Sequence, residues 1–226
     1  MNKAWLNEDT FLISDTHFGH EKILEKEPLR VQLAEQEIAG IDPFEWALKC
    51  WNQKVLPKDH VLHLGDVIGK RGKKYIHRLN GKKHVILGNH DINNLKELHS
   101  AGFALLKGIH FKIDTPKNGD AILRALHKRF SPKELYKALF VHALVADFGK
   151  ERILFSHFPV FDSYPENKRY ERGKRILEAL YEEAQCTLNI HGHTHSNDTK
   201  NSFCINVSAD KSAMFPRKLG EILPKC

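Results

Sequence analysis

The 226-residue sequence predicts an α/β fold, and three observations carry that expectation. Short apolar runs recur at Phe11–Ser14, Val61–Leu64, His84–Leu87, Ile153–Ser156, Leu188–His191 and Phe203–Val207, each bounded by turn-forming or polar residues. Their shortness and their β-branched or aromatic content read as buried strands. Between them lie stretches with apolar residues at helical spacing. That alternation predicts a sheet with both faces covered by helices. No repeat, low-complexity tract or Ser/Gly/Pro linker interrupts the pattern, so a single domain is expected over residues 1–226.

Taken in order, Phe11–Ser14 is the first strand. Pro43–Val55 then places Phe44, Trp46, Ala47, Leu48 and Trp51 at helix-like spacing. The second strand is Val61–Leu64, followed by a short helical pattern over Arg71–Leu79. After the third strand, His84–Leu87, comes another over Asn93–Ser100. Residues 117–140 fall between strand-like runs and add a basic helix, so they are the expected insertion. Within them, Ser131-Pro132-Lys133-Glu134 forms a capping box with Pro at the first helical position, predicting a helix to about Phe140. Val141–Asp147 and Arg152–Ser156 flank a turn containing Gly149, the pattern of a hairpin. Glu171–Ala184 sets Ile176, Leu177, Leu180 and Tyr181 on one helix face, and the last two strands follow.

Composition narrows the class. Hydrophobic content of 41% and charged content of 28% exclude wholesale disorder. A chain of this length buries roughly 70% of its unfolded surface without needing disulfides. Cys50, Cys186, Cys204 and Cys226 form no C-x-x-C, which excludes a thiolate zinc site and a thioredoxin-like motif. Neither a signal peptide nor an apolar membrane span is visible, so a cytoplasmic protein with reduced cysteines is expected. The net charge of +7 is compatible with a polyanionic partner without requiring one. Fifteen histidines are many for this length and hint at metal chemistry.

The ends of the expected strands carry the chemistry. They read Ser14-Asp15-Thr16-His17, Leu64-Gly65-Asp66, Gly88-Asn89-His90-Asp91, Ser156-His157 and His191-Gly192-His193-Thr194-His195. Carboxyl ends of strands in an α/β sheet converge on one crevice, where ligands bind. The donors gathered there are oxygen and imidazole, which suit Mn, Fe, Zn, Ni or Co. Asp15, His17, Asp66, Asn89, His157, His193 and His195 are too many for one tetrahedral site and fit two ions sharing a carboxylate. Asp-x-His and His-x-His put both members on one face of an extended chain.

In this order, D-x-H, G-D, G-N-H-D, a lone His and G-H-x-H resemble the signature of the calcineurin-like metallophosphoesterases, from Asp15 to His195. Asp15–His20, Trp51-Asn52, His63–Asp66 and Leu79–Asp91 are most similar to the small bacterial and phage branch. Asp66 is followed by Val67, Ile68 and Gly69, without the extra carboxylate and arginine of the Ser/Thr protein phosphatases. Asp91 stands where that branch has Glu, so protein phosphatase activity is disfavoured. The resemblance implies a four-layer αββα sandwich of two mixed sheets flanked by helices. It implies two divalent ions, Mn foremost, with Asp15, His17 and His195 on the first and Asn89, His157 and His193 on the second. Asp66 would bridge them, and the pair would clamp the phosphate and generate the attacking hydroxide. His90 would be the general acid. Asp91 would orient His90 or cap the following helix.

Residues near these positions carry lesser expectations. His20 would support the site, touch substrate, or sit solvated or capping a helix. His63 and His191 read as packed or supporting groups, and Trp46 and Trp51 as core. The loop Gly69–Lys74 follows Asp66 directly, so Lys70, Arg71, Lys73 and Lys74 are expected at the mouth of the site as grips for phosphate. Arg124, His127, Lys128 and Arg129 would form a second basic edge if their segment caps the site, and Lys168, Arg169, Arg172, Lys174 and Arg175 make a further cluster. These cations favour a phosphodiesterase acting on nucleotides or nucleic-acid ends, with no membrane partner. A phosphomonoesterase would use the same ligands. A non-catalytic nucleic-acid-binding module is the third reading, and the intact His90 argues against it.

Overall fold

Alternation along the strands sorts the buried apolar residues into three seams, and three seams separate four layers. The computed structural model describes residues 5–114, 116–137, 141–162 and 168–224. Among these residues the strands form two five-stranded sheets. In the first, β1 (Phe11–Ile13), β2 (His60–His63), β3 (Lys82–Ile86) and β4 (Phe103–Leu106) run parallel. In the second, β5 (Ile109–Lys112), β6 (Ala143–Phe148), β7 (Glu151–Ser156), β8 (Leu188–His191) and β9 (Cys204–Asn206) lie in sequence order, with only the β6–β7 pair antiparallel. A short last strand, β10 (Arg217–Lys218), returns to the first sheet antiparallel to β1. Both sheets are therefore mixed.

The inner seam joins Leu12, Leu62 and Ile86 of the first sheet to Leu144, Ala146, Ile153, Phe155 and Ile190 of the second. Their sequence neighbours Phe11, Ile13, Val61 and Val85 point outward. They meet α1 (Lys22–Lys26), α2 (Leu29–Glu37), α3 (Pro43–Lys54), α4 (Lys73–Ile76) and α5 (Leu95–Ser100). On the other side, Ala143, Val145 and Leu154 meet Ile122 and Leu126 of α6 (Pro116–Arg129) and Ile176, Leu177 and Leu180 of α8 (Lys168–Glu183). The chain also forms α7 (Pro132–Lys137) and α9 (Leu219–Ile222). This is the four-layer sandwich expected from the sequence. No helix among the described residues is long and apolar enough to cross a membrane.

Several local expectations meet their counterparts. Ser131 and Glu134 bond reciprocally: the Ser131 N–H donates to the Glu134 carboxylate at 2.9 Å, and the Glu134 N–H donates to Ser131 Oγ at 3.2 Å. The helix they open is described to Lys137, so its expected end at Phe140 lies outside the described residues. Phe148 pairs with Glu151 across a two-residue turn in which Gly149 has φ 59°. Trp46 and Trp51 are core residues. Because β5 and β6 are parallel, their connection must cross over, and α6 and α7 are that connection.

Other elements differ. The pattern over Arg71–Leu79 yields only the one-turn α4, because Gly72 packs against the Phe18 carbonyl and the chain turns there. Asn93–Ser100 divides into a 3₁₀ turn at Asp91–Asn94 and α5. α2 reads against the usual pattern: Leu29 and Val31 are 48% and 40% exposed while Arg30 is 3% exposed. No apolar periodicity could have announced it.

Candidate functional site

The carboxyl ends of β1, β2, β3, β7 and β8 meet above the inner seam, and the backbone there is bent out of the usual regions. Asp15, His17, Asp66, His193 and His195 have φ of 55°, 48°, 58°, 69° and 52°. Left-handed backbone is uncommon and costly for residues with a Cβ, and persists where the surroundings over-determine it. Three glycines let the loops close. A Cβ at Gly88 would lie 2.2 Å from Asp66 Oδ1, and one at Gly192 would lie 2.0 Å from Ser14 Oγ. At Gly65 a Cβ would lie 2.8 Å from His157 Nδ1.

Asp15 is fully buried. Its Oδ2 accepts from the His193 N–H at 2.8 Å and the Ser208 hydroxyl at 3.0 Å, while Oδ1 has no hydrogen-bond partner. Facing that Oδ1, at 3.9 Å each, are His17 Nε2 and His195 Nε2. Asp66 Oδ1 accepts from the His90 N–H at 2.8 Å. Its Oδ2 stands 3.6 Å from His17 Nε2 and 3.5 Å from His157 Nε2. His157 directs Nδ1 to the Leu64 carbonyl at 2.8 Å, which puts the ring proton there and leaves Nε2 toward Asp66 and Asn89 Oδ1, 3.1 Å away. The His193 ring lies 5.1 Å from that of His157.

Asp15, His17 and His195 bring one donor atom each within 4.8 Å of one another, as do Asp15, Asp66 and His157. Both ring nitrogens of His17 are buried without a partner. Burial holds His17 well below its ordinary pKa, with His195, Arg30 and His90 adding to the effect against Asp15. Burial and His157 take His193 down to about 3. Burial also raises Asp66 well above the carboxylate range, helped by Asp91 and Asp15. It pushes Asp15 upward too, but His157, His195 and His17 outweigh it and the net direction is down. Burial lowers His195 as well, but its bond to Asp210 and the charges of Asp15 and Asp210 outweigh it and the net direction is up. The unpartnered Asp15 Oδ1 and His17 nitrogens, with the imidazoles around them, form a donor set for a cation.

Residues 10–197 match the family described as calcineurin-like phosphoesterase. The chain belongs to this family. Members are metal-dependent phosphoesterases, and the donor cluster lies within the matched span. Gene 66 protein of Mycobacterium phage L5 is 28% identical over 204 residues, covering 83% of this chain and 78% of that protein. Gene 66 protein of Mycobacterium phage D29 is 24% identical over 202 residues, covering 87% and 80%. A crystal structure of a protein of unknown function from Aquifex aeolicus shares the fold, with a TM-score of 0.61, 24% identity, and coverage of 94% of this chain and 96% of that one.

Within this phosphoesterase the remaining site residues fall into three groups. His90 stands at the open side, half exposed, with Nε2 4.0 Å from Asp66 Oδ2 and its ring 5.2 Å from that of His17. Burial, with His20 and His157, takes it to about 4. Asp91 does neither thing expected of it. Its carboxylate turns inward and accepts from the backbone N–H groups of Asp66 at 2.7 Å, Gly88 at 2.8 Å and Val67 at 2.9 Å. It ties the loop after β2 to the loop after β3, so it fixes Asp66 rather than His90. His63 and His191 are buried behind the cluster, His63 against Thr16 at 3.0 Å and His191 on the Gly192 carbonyl at 2.8 Å.

A cleft of about 470 Å³ opens beside His90, lined among others by His20, Lys70, Arg71, Asn93 and Asn94. The His20 ring lies 5.3 Å from His17 and 5.4 Å from His90. Lys70 and Arg71 therefore reach the mouth, although Arg71 is ion-paired with Glu21. Lys73 and Lys74 do not line this cleft. They begin α4, and Lys74 lies 3.9 Å from Asp42 and 4.6 Å over the Tyr75 ring. Arg124, His127, Lys128 and Arg129 are on α6, which packs outside the second sheet, and Arg129 pairs with Glu182 and Glu183 of α8. The side chains of Lys168 and Arg169 lie outside the described residues.

The sequence reading missed Ser208, Asp210 and Arg30, all of which touch the cluster or its neighbours. Ser208 and Asp210 follow the expected strand Phe203–Val207. The strand-end reasoning that found Asp15 would have found them had it been carried to the last strand. Nothing in the sequence marks Arg30.

Proposed function

We propose that the strand-end cluster holds two divalent ions and that the protein hydrolyses phosphodiesters of nucleotides or nucleic-acid ends. In this reading Asp15, His17 and His195 hold one ion and Asn89, His157 and His193 the other, with Asp66 shared. The observation that carries it is Asp66 Oδ2, which faces His17 Nε2 at 3.6 Å and His157 Nε2 at 3.5 Å, one imidazole from each group. The unpartnered Asp15 Oδ1 and His17 nitrogens support it, being polar atoms buried with nothing to bond. A mixed oxygen and imidazole set suits Mn, with Fe, Zn, Ni or Co able to replace it. Bound ions of this kind polarise the phosphate and supply the nucleophile at neutral pH.

The chain's own groups do the rest. Asp66 is held by the His90 N–H through its side chain and by Asp91 through its backbone, so its free oxygen is aimed before any ligand arrives. Asp91 is thus a positioning group. His90, at the open side, hydrogen-bonds the phosphate and delivers a proton to the leaving oxygen. His20, Lys70 and Arg71 border the cleft on that same side, where the leaving group departs.

The diester preference rests on Lys70 and Arg71, cations at the mouth of the cleft placed to meet the further phosphates of a nucleotide or nucleic-acid end. A cytoplasmic setting fits the free thiols of Cys50, Cys186 and Cys204. The test is turnover of bis-p-nitrophenyl phosphate against p-nitrophenyl phosphate across Mn, Ni, Zn and Co. A higher kcat/KM for the diester supports the proposal. Preference for the monoester would make the protein a phosphomonoesterase, and silence on both with metal bound would favour the non-catalytic binding module.

A further inference from the structure

We infer that Arg30 is a positioning residue that sets one half of the proposed metal centre through two routes at once. The inference rests on the dinuclear reading given above. Arg30 lies on α2, in the helical layer outside the first sheet, and is 3% exposed. A buried guanidinium is costly unless its donors are satisfied, and here four bonds account for it. Its Nε–H donates to Asp210 Oδ1 at 2.7 Å and Nη2–H to Asp210 Oδ2 at 2.8 Å, a bidentate fork. Nη2–H also donates to the Asp15 carbonyl at 2.7 Å, and Nη1–H to the Thr16 carbonyl at 2.9 Å.

The first route runs through Asp210. Its Oδ2 accepts from His195 Nδ1–H at 2.9 Å, which fixes that tautomer and turns Nε2 toward Asp15 Oδ1. A carboxylate behind a ligating imidazole sets ring orientation and basicity. The second route runs through the backbone. The two carbonyls held by Arg30 belong to the turn in which Asp15 has φ 55° and His17 φ 48°. That turn presents Asp15 and His17 together. One side chain therefore constrains Asp15, His17 and His195. In the other half His157 is held by the Leu64 carbonyl, and the shared Asp66 by Asp91 and the His90 N–H, so only the His193 N–H, which reaches Asp15 Oδ2 at 2.8 Å, ties that half to the turn Arg30 holds. A lysine has no fork and cannot make all four bonds.

The experiment compares wild type with Arg30→Lys, Asp210→Asn and the double variant Arg30→Met/Asp210→Asn, which removes both buried charges together in case Arg30 alone cannot be lost. Calorimetric titration with Mn²⁺ reads the two binding steps, and nitrogen-15 shifts of the His195 ring in metal-free protein read its tautomer. The expected result is one step weakened about 10- to 100-fold in each variant, the other within about 3-fold. The His195 ring should change from a fixed Nδ1–H form in the wild type to a mixture in the Asp210 variants. Unchanged binding with an unchanged His195 signal would overturn the inference. So would an equal loss in both steps that tracks a fall in thermal stability, since a merely structural residue gives that pattern. If wild type binds none of Mn²⁺, Zn²⁺, Ni²⁺ and Co²⁺, the dinuclear reading fails. The His195 signal then decides alone: an unchanged tautomer overturns the inference, and a lost one supports it.

Discussion

The floor of the site and its rim are built from different physics. On the floor, Asp15, His17, Asp66 and His157 are at most 2% exposed. The backbone of Asp15, His17 and Asp66 is bent, the loops are closed over glycines, and each carboxylate is bonded on one side and open on the other. At the rim, Lys70 and Arg71 are exposed, with Arg71 paired to Glu21. Floor groups act in a desolvated setting where unpaired polar atoms are expensive and a cation is strongly favoured. Rim groups are screened by water and salt and contribute little singly. Substitutions on the floor should therefore decide whether the reaction runs, and those on the rim only how tightly substrate is held.

Substitutions at seven positions put that contrast to the test. Asp66→Asn should lower kcat/KM by at least ~10³-fold, about 4 kcal/mol of transition-state stabilisation, and reduce the bound ions below two by elemental analysis. Retained activity would remove Asp66 from the centre. His90→Ala should cost about 10²- to 10⁴-fold in kcat while both ions stay bound. It should cost less on an ester whose leaving group needs no proton, and equal losses on good and poor leaving groups would refute the acid role. Gly88→Ala places a Cβ against Asp66 Oδ1, and denaturant unfolding should show a loss of about 1–3 kcal/mol together with weaker metal binding. Unaltered stability would mean the two loops have more freedom than their packing indicates. Lys70→Ala or Arg71→Ala should raise KM less than about 10-fold, an effect that fades with added salt. Lys73→Ala and Lys74→Ala should leave kinetics unchanged, because neither lines the cleft.

The same contrast explains what was legible in the sequence. β1, β2, β3, β7, β8 and β9 are read from short apolar runs bounded by turn residues, β6 from the hairpin pattern around Gly149, and the strand ends from the residue types that follow them. Asp15, Asp66, Asn89, His157, His193 and His195 are found by that reasoning because a strand delivers its carboxyl end wherever the sheet points it. α1 and β10 are too short to carry a period. α2 carries none that points to the core, since burying Arg30 instead of Leu29 and Val31 serves the site and not the core. Asp91 was found but read as orienting His90 or capping the following helix. Its bonds to Asp66, Val67 and Gly88 are contacts between loops, which sequence proximity cannot show. The rim was over-read for the opposite reason. Four cations in one loop look like a single patch in a sequence, yet the loop turns at Gly72 and sends Lys73 and Lys74 onto α4.

In the proposed centre Asp66 stands between two ions held by groups from both sheets. Anomalous diffraction from crystals equilibrated with Mn²⁺ should show two peaks about 3.5–4 Å apart, one beside Asp15, His17 and His195 and the other beside Asn89, His157 and His193, with Asp66 touching both. A single peak, or peaks that do not share Asp66, would rule that centre out.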